Sequence, residues 1–82
     1  MELQHPTFRR ITFNPEVCTG KPCIRGMRFP VSTLLGYLAG GMSMDQLLSD
    51  FPFLERADIL DAIGFAALST DEKYVSLQLA AA

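Results

Sequence analysis

The segment Gly20–Val31, GKPCIRGMRFPV, constrains the fold most strongly, because it holds two prolines and two glycines in a short stretch. Gly26-Met27 lies midway between two short arms, and glycine at the first central position favours a type II′ turn. We therefore predict a β-hairpin with its turn at Gly26–Met27. Its prolines cannot donate to a β-ladder, which limits the arms to short edge strands.

This turn gives the hairpin an apolar face and a cationic face. The apolar face comprises Pro22, Ile24, Phe29 and Val31, and the other comprises Lys21, Cys23, Arg25, Arg28 and Pro30. Arg25 and Arg28 are predicted to stand opposite each other, which destabilises a strand pair unless an anion lies nearby. That anion could be internal, from Asp58 or Glu55, or could belong to a second copy, another protein or DNA. Lys21, Arg25 and Arg28 are therefore candidate partner- or anion-binding residues.

Local signals predict one strand before the hairpin and three helices after it. Ile11 and Phe13 alternate with polar neighbours, as in a strand. The first helix is expected over Ser32–Ala39, where Gly40-Gly41 stops it. The second begins at Ser43, which forms a capping box with Gln46, and ends before Pro52.

The third helix is expected over Glu55–Leu68. Its apolar residues predict a broad buried face: Ile59, Leu60, Ile63, Phe65, Ala66 and Ala67. Its acids, Glu55, Asp58 and Asp61, are assigned to the solvated side. The second and third helices have helix-turn-helix proportions. We divide the chain into a loose lead-in (1–10), a single domain (11–70) and a tail (71–82), and predict a mainly α, small α+β fold.

Composition favours one domain with partners. The chain has 82 residues, 49% of them hydrophobic, so apolar surface is expected to remain after folding and to be covered by a second copy or another protein. A homodimer is expected. The net charge of −2 conceals +3 over residues 1–32 and −5 over residues 33–82. No apolar run approaches the roughly 18 residues needed to span a bilayer, which predicts a cytoplasmic protein without membrane association.

The chain offers few residues for catalysis or metal binding. Cys18, Cys23 and His5 are too few for a closed zinc site, so both cysteines are expected to be reduced and at least half-buried. Cys23 lies between Lys21 and Arg25, whose positive charges would lower the pKa of its thiol, but no base accompanies the thiol. We predict no catalytic residue, metal or cofactor, and no enzyme activity.

Binding to DNA is a separate possibility. The third helix carries three acids and one base, a face that phosphates would repel. Arg9 and Arg10, with Arg56, are therefore the possible DNA contacts outside the hairpin. A DNA-binding regulator and a homo-oligomeric interaction module are the alternatives to a protein-binding role.

A set of motifs over about residues 11–68 resembles the small bacterial family catalogued as domain of unknown function 433. They are Gly20-Lys21-Pro22, Ile24-Arg25-Gly26, Arg28, Pro30-Val31, Gly40-Gly41, Pro52 and Asp58-Ile59. The resemblance implies a homeodomain-like helix-turn-helix fold with an N-terminal β-arm. It also implies an antitoxin of a type II toxin–antitoxin pair whose partner is a PIN-like ribonuclease, and leaves binding to operator DNA open. Such nucleases hold metal ions with clustered carboxylates, which the cationic hairpin could plug through Lys21, Arg25 and Arg28.

Overall fold

Three short strands form an antiparallel sheet in the computed structural model, which describes residues 1–70. They are β1 (Leu3–Gln4), β2 (Ile11–Phe13) and β3 (Cys23–Ile24), in the order β1-β2-β3. Leu3 pairs with Phe13, and Ile11 pairs with Ile24. The predicted strand at residues 11–13 is confirmed as the central strand, and the predicted tail lies outside the described residues.

Strand β1 lies within the segment that was expected to be a loose lead-in. The His5 N–H donates to the Ile11 carbonyl at 2.9 Å, which extends the β1–β2 pairing. The His5 ring closes the following turn, because Nδ1 accepts from the N–H groups of Thr7 (3.1 Å) and Phe8 (3.0 Å). His5 therefore has a local structural role.

The predicted hairpin forms, but its turn lies one residue earlier than expected. Met27 N–H donates to the Ile24 carbonyl at 2.8 Å, so Arg25 and Gly26 are the central residues. Their φ angles are +43° and +71°, the signs of a type I′ turn. The type II′ turn at Gly26–Met27 was wrong, since Arg25 itself adopts a left-handed conformation.

Both faces of the hairpin differ in burial from a simple alternation. Ile24 and Val31 are buried as predicted, but Cys23 is buried too, although it was placed on the cationic face. Its partner in β2, Thr12, is also buried, and the Thr12 hydroxyl donates to the Cys23 carbonyl at 3.3 Å and accepts from Gly26 N–H at 2.8 Å. Sheet pairing with β2 therefore covers a face that the isolated hairpin would expose.

Three helices follow at the predicted places. They are α1 (Val31–Ala39), α2 (Met44–Asp50) and α3 (Arg56–Ser69). Gly40 is the C-cap of α1, and the Ser43 hydroxyl accepts from Gln46 N–H at 3.1 Å at the start of α2. Within residues 1–70, none of the helices has the length and apolar character that crossing a membrane requires.

One hydrophobic core joins the sheet to the helices. Its fully buried members come from every element except β1 and are Ile11, Ile24, Val31, Leu34, Leu47, Leu54, Ile59 and Ala62. Helix α3 enters this core through Ile59 and Ala62, whereas Leu60, Ile63 and Ala67, predicted to be buried, are exposed. The correction has a simple cause: α3 is apolar on both sides, so periodicity alone cannot select the side that packs.

Candidate functional site

The most strongly organised polar site is built around Asp58, in the first turn of α3. Its side chain is 0% exposed, although the sequence assigned it to the solvated side. Arg25 holds it bidentately, with Nε at 2.9 Å from Oδ1 and Nη2 at 2.9 Å from Oδ2. Arg10 Nη1 also donates to Oδ1 at 2.9 Å. The solvation prediction was wrong because the first turn of α3 faces the hairpin tip and β2.

Glu55 and Asp61 extend this Asp58 cluster along α3. Glu55 N–H donates to Asp58 Oδ2 at 2.8 Å, which satisfies a backbone donor at the helix start. Glu55 Oε1 accepts from Arg10 Nη1 at 2.6 Å, and Asp61 Oδ2 accepts from the Arg10 backbone N–H at 3.2 Å. The cluster thus fastens the residue before β2, the hairpin tip and α3 to one another.

The charge state of Asp58 follows from two opposed effects. Burial by itself would raise the pKa of this carboxyl. The hydrogen bonds from Arg25, the Glu55 backbone and Arg10 favour the ionised form and outweigh burial, so the pKa of Asp58 lies below its ordinary value of 3.8. Asp58 is therefore a charged anchor rather than a proton donor.

Arg25 is thereby engaged within the protein. Besides the two bonds to Asp58, its Nη2 donates to the Phe53 carbonyl at 2.7 Å. The anion that faces Arg25 is therefore Asp58 of the same chain, one of the possibilities that the sequence left open. Arg28 differs: it is exposed, and no acidic oxygen among residues 1–70 lies within 4.0 Å of its guanidinium nitrogens.

The structure does not bring the three hairpin cations to one point. Arg25 lines a polar cavity with Glu2, Arg9 and Arg10. Lys21 instead lines a groove at the base of the hairpin, between α1 and the end of α3, whose apolar lining includes Leu35. A single cationic tip made of Lys21, Arg25 and Arg28 is therefore not formed.

The possible DNA contacts are likewise dispersed. Arg10 belongs to the Asp58 cluster, and Arg56 Nη2 donates to Asp45 at 2.7 Å on the surface of the helices. Arg9 is exposed beside the polar cavity. Two of these three arginines therefore already face carboxylates.

Sequence reasoning missed an aromatic patch. The rings of Phe29, Tyr37, Phe51 and Phe53 form it, and their centroids are 5.2 to 6.0 Å apart. Tyr37 is 39% exposed and Phe53 is 45% exposed. The four residues come from the hairpin, α1 and the α2–α3 connection, so no periodic signal in the sequence links them. Exposed Arg28 directly precedes Phe29.

Helix α3 presents a second apolar surface. Leu60, Ile63 and Leu68 are 56%, 43% and 53% exposed. With Ala67, which is also exposed, they make up the α3 outer face. The expectation that apolar surface remains after folding is confirmed for the described part of the chain.

The two cysteines are free thiols, Cys18 half-buried and Cys23 buried. Burial, together with the Cys18 thiol beside it, raises the pKa of Cys23 to about 11, despite the weak opposing effect of Lys21. The thiol is protonated at neutral pH, so the activating effect of the neighbouring cations was overestimated. Residues 1–70 contain no group of three side chains placed to hold a metal ion.

These observations define a small α+β protein whose described residues expose the aromatic patch and the α3 outer face. The family described as "Protein of unknown function (DUF433)" matches residues 11–66, and the chain belongs to that family. A crystal structure of a DUF433 member from Anabaena variabilis is similar, with 30% sequence identity and a TM-score of 0.67. The match covers 87% of this chain and 68% of that one. A search of curated proteins finds no match. The predicted family is confirmed.

Proposed function

We propose that the protein is an antitoxin that binds and neutralises a PIN-like ribonuclease in a type II toxin–antitoxin pair. The observation that carries the protein-binding part is the aromatic patch of Phe29, Tyr37, Phe51 and Phe53. Exposed Arg28 directly precedes its first member in the sequence. Aromatic residues and arginine are enriched at the energetic centres of protein interfaces. The identity of the partner rests on the family resemblance.

In this proposal Arg28 alone takes the role predicted from the sequence for Lys21, Arg25 and Arg28 together. Arg25 is engaged by Asp58 through both carboxylate oxygens, so releasing it would leave a buried carboxylate without its strongest partner. Arg28 has no acidic partner among residues 1–70 and can offer a guanidinium fork to a carboxylate of the toxin. The aromatic patch, which begins at the next residue, Phe29, supplies apolar contact area to the same interface.

The same proposal includes a homeodomain-like helix-turn-helix fold, in which α3 contacts protein rather than DNA. Helices α2 and α3 follow each other with a short connection, as that motif requires. An outer face of Leu60, Ile63 and Leu68 suits contact with protein, because DNA recognition needs basic and amide side chains that reach phosphates and base edges. We therefore favour protein binding over the DNA-binding alternative.

The test is co-expression of the full chain with the product of the gene adjacent to its own. We expect the two proteins to co-purify and the chain to restore growth when that product is toxic. Arg28→Glu combined with Phe53→Ala should weaken the complex at least about tenfold. Arg9→Glu is the matched charge reversal at an exposed arginine outside the patch and should leave binding unchanged.

Two results would contradict the proposal. One is failure of the wild-type proteins to co-purify or to restore growth. The other is equal binding by the patch variant and the wild type. A mobility shift with the chain's own promoter measures the DNA alternative directly, and steep weakening of such a complex with salt would favour it.

A further inference from the structure

The α3 outer face is an unusual surface for a helix of a small protein. Leu60, Ile63 and Ala67 lie three and four residues apart, so they form one line along the helix. Leu68 lies on the other side of Gly64, against which the Phe8 ring packs. Three of these four residues are large aliphatic side chains with 43–56% of their surface exposed. No exposed residue of α3 after Arg56 carries a charge. The other side of the helix is already packed through Ile59 and Ala62.

We propose that this face is a dimer interface, in which two copies of the chain pack their α3 helices antiparallel. The 14 residues of α3 span about 21 Å, long enough for three turns of contact. With the two-fold axis beside Ile63, Leu60 of one copy lies opposite Ala67 of the second copy, and the two Ile63 side chains meet at the axis. Large Leu60 then opposes small Ala67 on both sides of the central Ile63 pair, which lets the two helices interdigitate.

Charge also favours a second copy in this orientation. Arg56, at the start of α3, comes next to the end of the second copy's helix, where the helix dipole is negative. Arg56 can turn toward this helix end at little cost, because its present partner Asp45 lies at the surface and exposed ion pairs contribute little.

The two apolar surfaces differ in composition, and this difference indicates that they bind different partners. The α3 outer face is aliphatic and without charge, the composition typical of homodimer interfaces. The aromatic patch includes Phe29, which follows exposed Arg28 in the sequence, and so fits the partner of the proposed function. The dimer does not depend on the toxin, and it is tested with this chain alone.

The first experiment measures mass in solution by sedimentation equilibrium on the full chain. We expect a concentration-dependent dimer, whose dissociation constant rises about 30-fold or more in Ile63→Lys. Phe53→Lys puts the same charge on a similarly exposed residue of the aromatic patch and should leave the dimer intact. Circular dichroism checks that both variants are folded. A monomeric wild type, or a dimer that tolerates Ile63→Lys, would overturn the proposal.

The second experiment tests the antiparallel arrangement by crosslinking with a short bis-maleimide. The double variant Leu60→Cys, Ala67→Cys should give covalent dimers well above the background from Cys18 in the wild type, since these positions face each other across the interface. The single variant Leu60→Cys should stay at that background, because its two copies lie about seven residues apart along the helices, roughly 10 Å. Efficient crosslinking of the single variant would instead indicate parallel helices and refute the arrangement.

Discussion

Asp58 has two structural roles that are usually carried by different residues. As the third residue of α3 it caps the helix by accepting the Glu55 N–H, and as a buried anion it receives three donors from Arg10 and Arg25. Each carboxylate oxygen accepts two hydrogen bonds, so the cost of burying the charge is offset only while all partners are present. Asp58 is therefore a structural residue, and removing its charge should affect folding before it affects binding.

Asp58→Asn tests this role at a single residue. The amide keeps the size of the side chain but has no charge, and its NH2 group cannot accept the two donors that the second carboxylate oxygen receives. We expect the free energy of unfolding to fall by about 3 kcal/mol, at the lower end for a broken buried pair, because both arginines retain access to solvent. Urea denaturation at neutral pH and fixed protein concentration measures it.

Asp45→Asn is the control for the preceding change. It removes the same charge from the exposed pair with Arg56 and should change stability by less than about 0.5 kcal/mol. Equal effects of the two substitutions would show that the buried network contributes nothing beyond a surface ion pair.

At the level of elements, short-range signals were the most reliable. The helix boundaries follow from Gly40, Ser43 and Pro52, since capping and termination depend on residues within one turn. The predicted pairing of the hairpin arms is confirmed, because Cys23 bridges Pro30 and the Ile24 N–H donates to the Phe29 carbonyl, although the tight turn lies at Arg25–Gly26. The turn type was missed, because the anchoring of Arg25 on Asp58 accompanies a positive φ that its residue type disfavours.

Two glycine substitutions test what the backbone requires at two places, one inside a helix and one in the hairpin turn. Gly36 lies inside α1, and a Cβ there would meet nothing within 4 Å, so Gly36→Ala should stabilise the protein by about 0.5–1 kcal/mol. Gly26→Ala should destabilise it by about 1–2 kcal/mol, because its φ of +71° is strained for alanine.

Thermal unfolding provides the measurement. For a chain of this size a change of 1 kcal/mol shifts Tm by about 4–8 °C, so the two variants should move in opposite directions by several degrees. A Tm for Gly26→Ala at or above that of the wild type would contradict the positive-φ turn.

For the whole molecule, the Asp58 cluster is the polar connection between the N-terminal β part and the helical part. Arg10 precedes β2, Arg25 occupies the hairpin tip, and Asp58 lies in α3. Acid should therefore loosen the contact between these parts when it protonates the single buried carboxylate of the described residues.

The pH dependence has a definite sign. The pKa of Asp58 is lowered in the folded protein relative to 3.8, so the unfolded chain binds this proton more readily. Ionised Asp58 contributes its full stabilisation at pH values well above 3.8. This contribution is lost as the pH falls through the lower, folded-state pKa. Urea midpoints measured from pH 6 down to pH 3 should fall more steeply for the wild type than for Asp58→Asn. Parallel curves would exclude Asp58 as the source of the acid sensitivity.

By itself the sequence determined the family, the strand at residues 11–13, the hairpin and all three helices. These depend on turn, capping and alternation signals that act over a few residues. It did not determine which side of α3 is buried, because both sides are apolar. Nor did it determine the pairing of Cys23 with Thr12 of β2, although it did predict that both cysteines are at least half-buried.

Only the tertiary structure decided the arrangement of the candidate sites. Arg25 and Arg10 lie 33 and 48 positions from Asp58 in the sequence, and the aromatic patch gathers rings from separate segments. No local pattern links such residues, so chain packing alone decided that Arg25 is bound internally while Arg28 and the α3 outer face are left exposed.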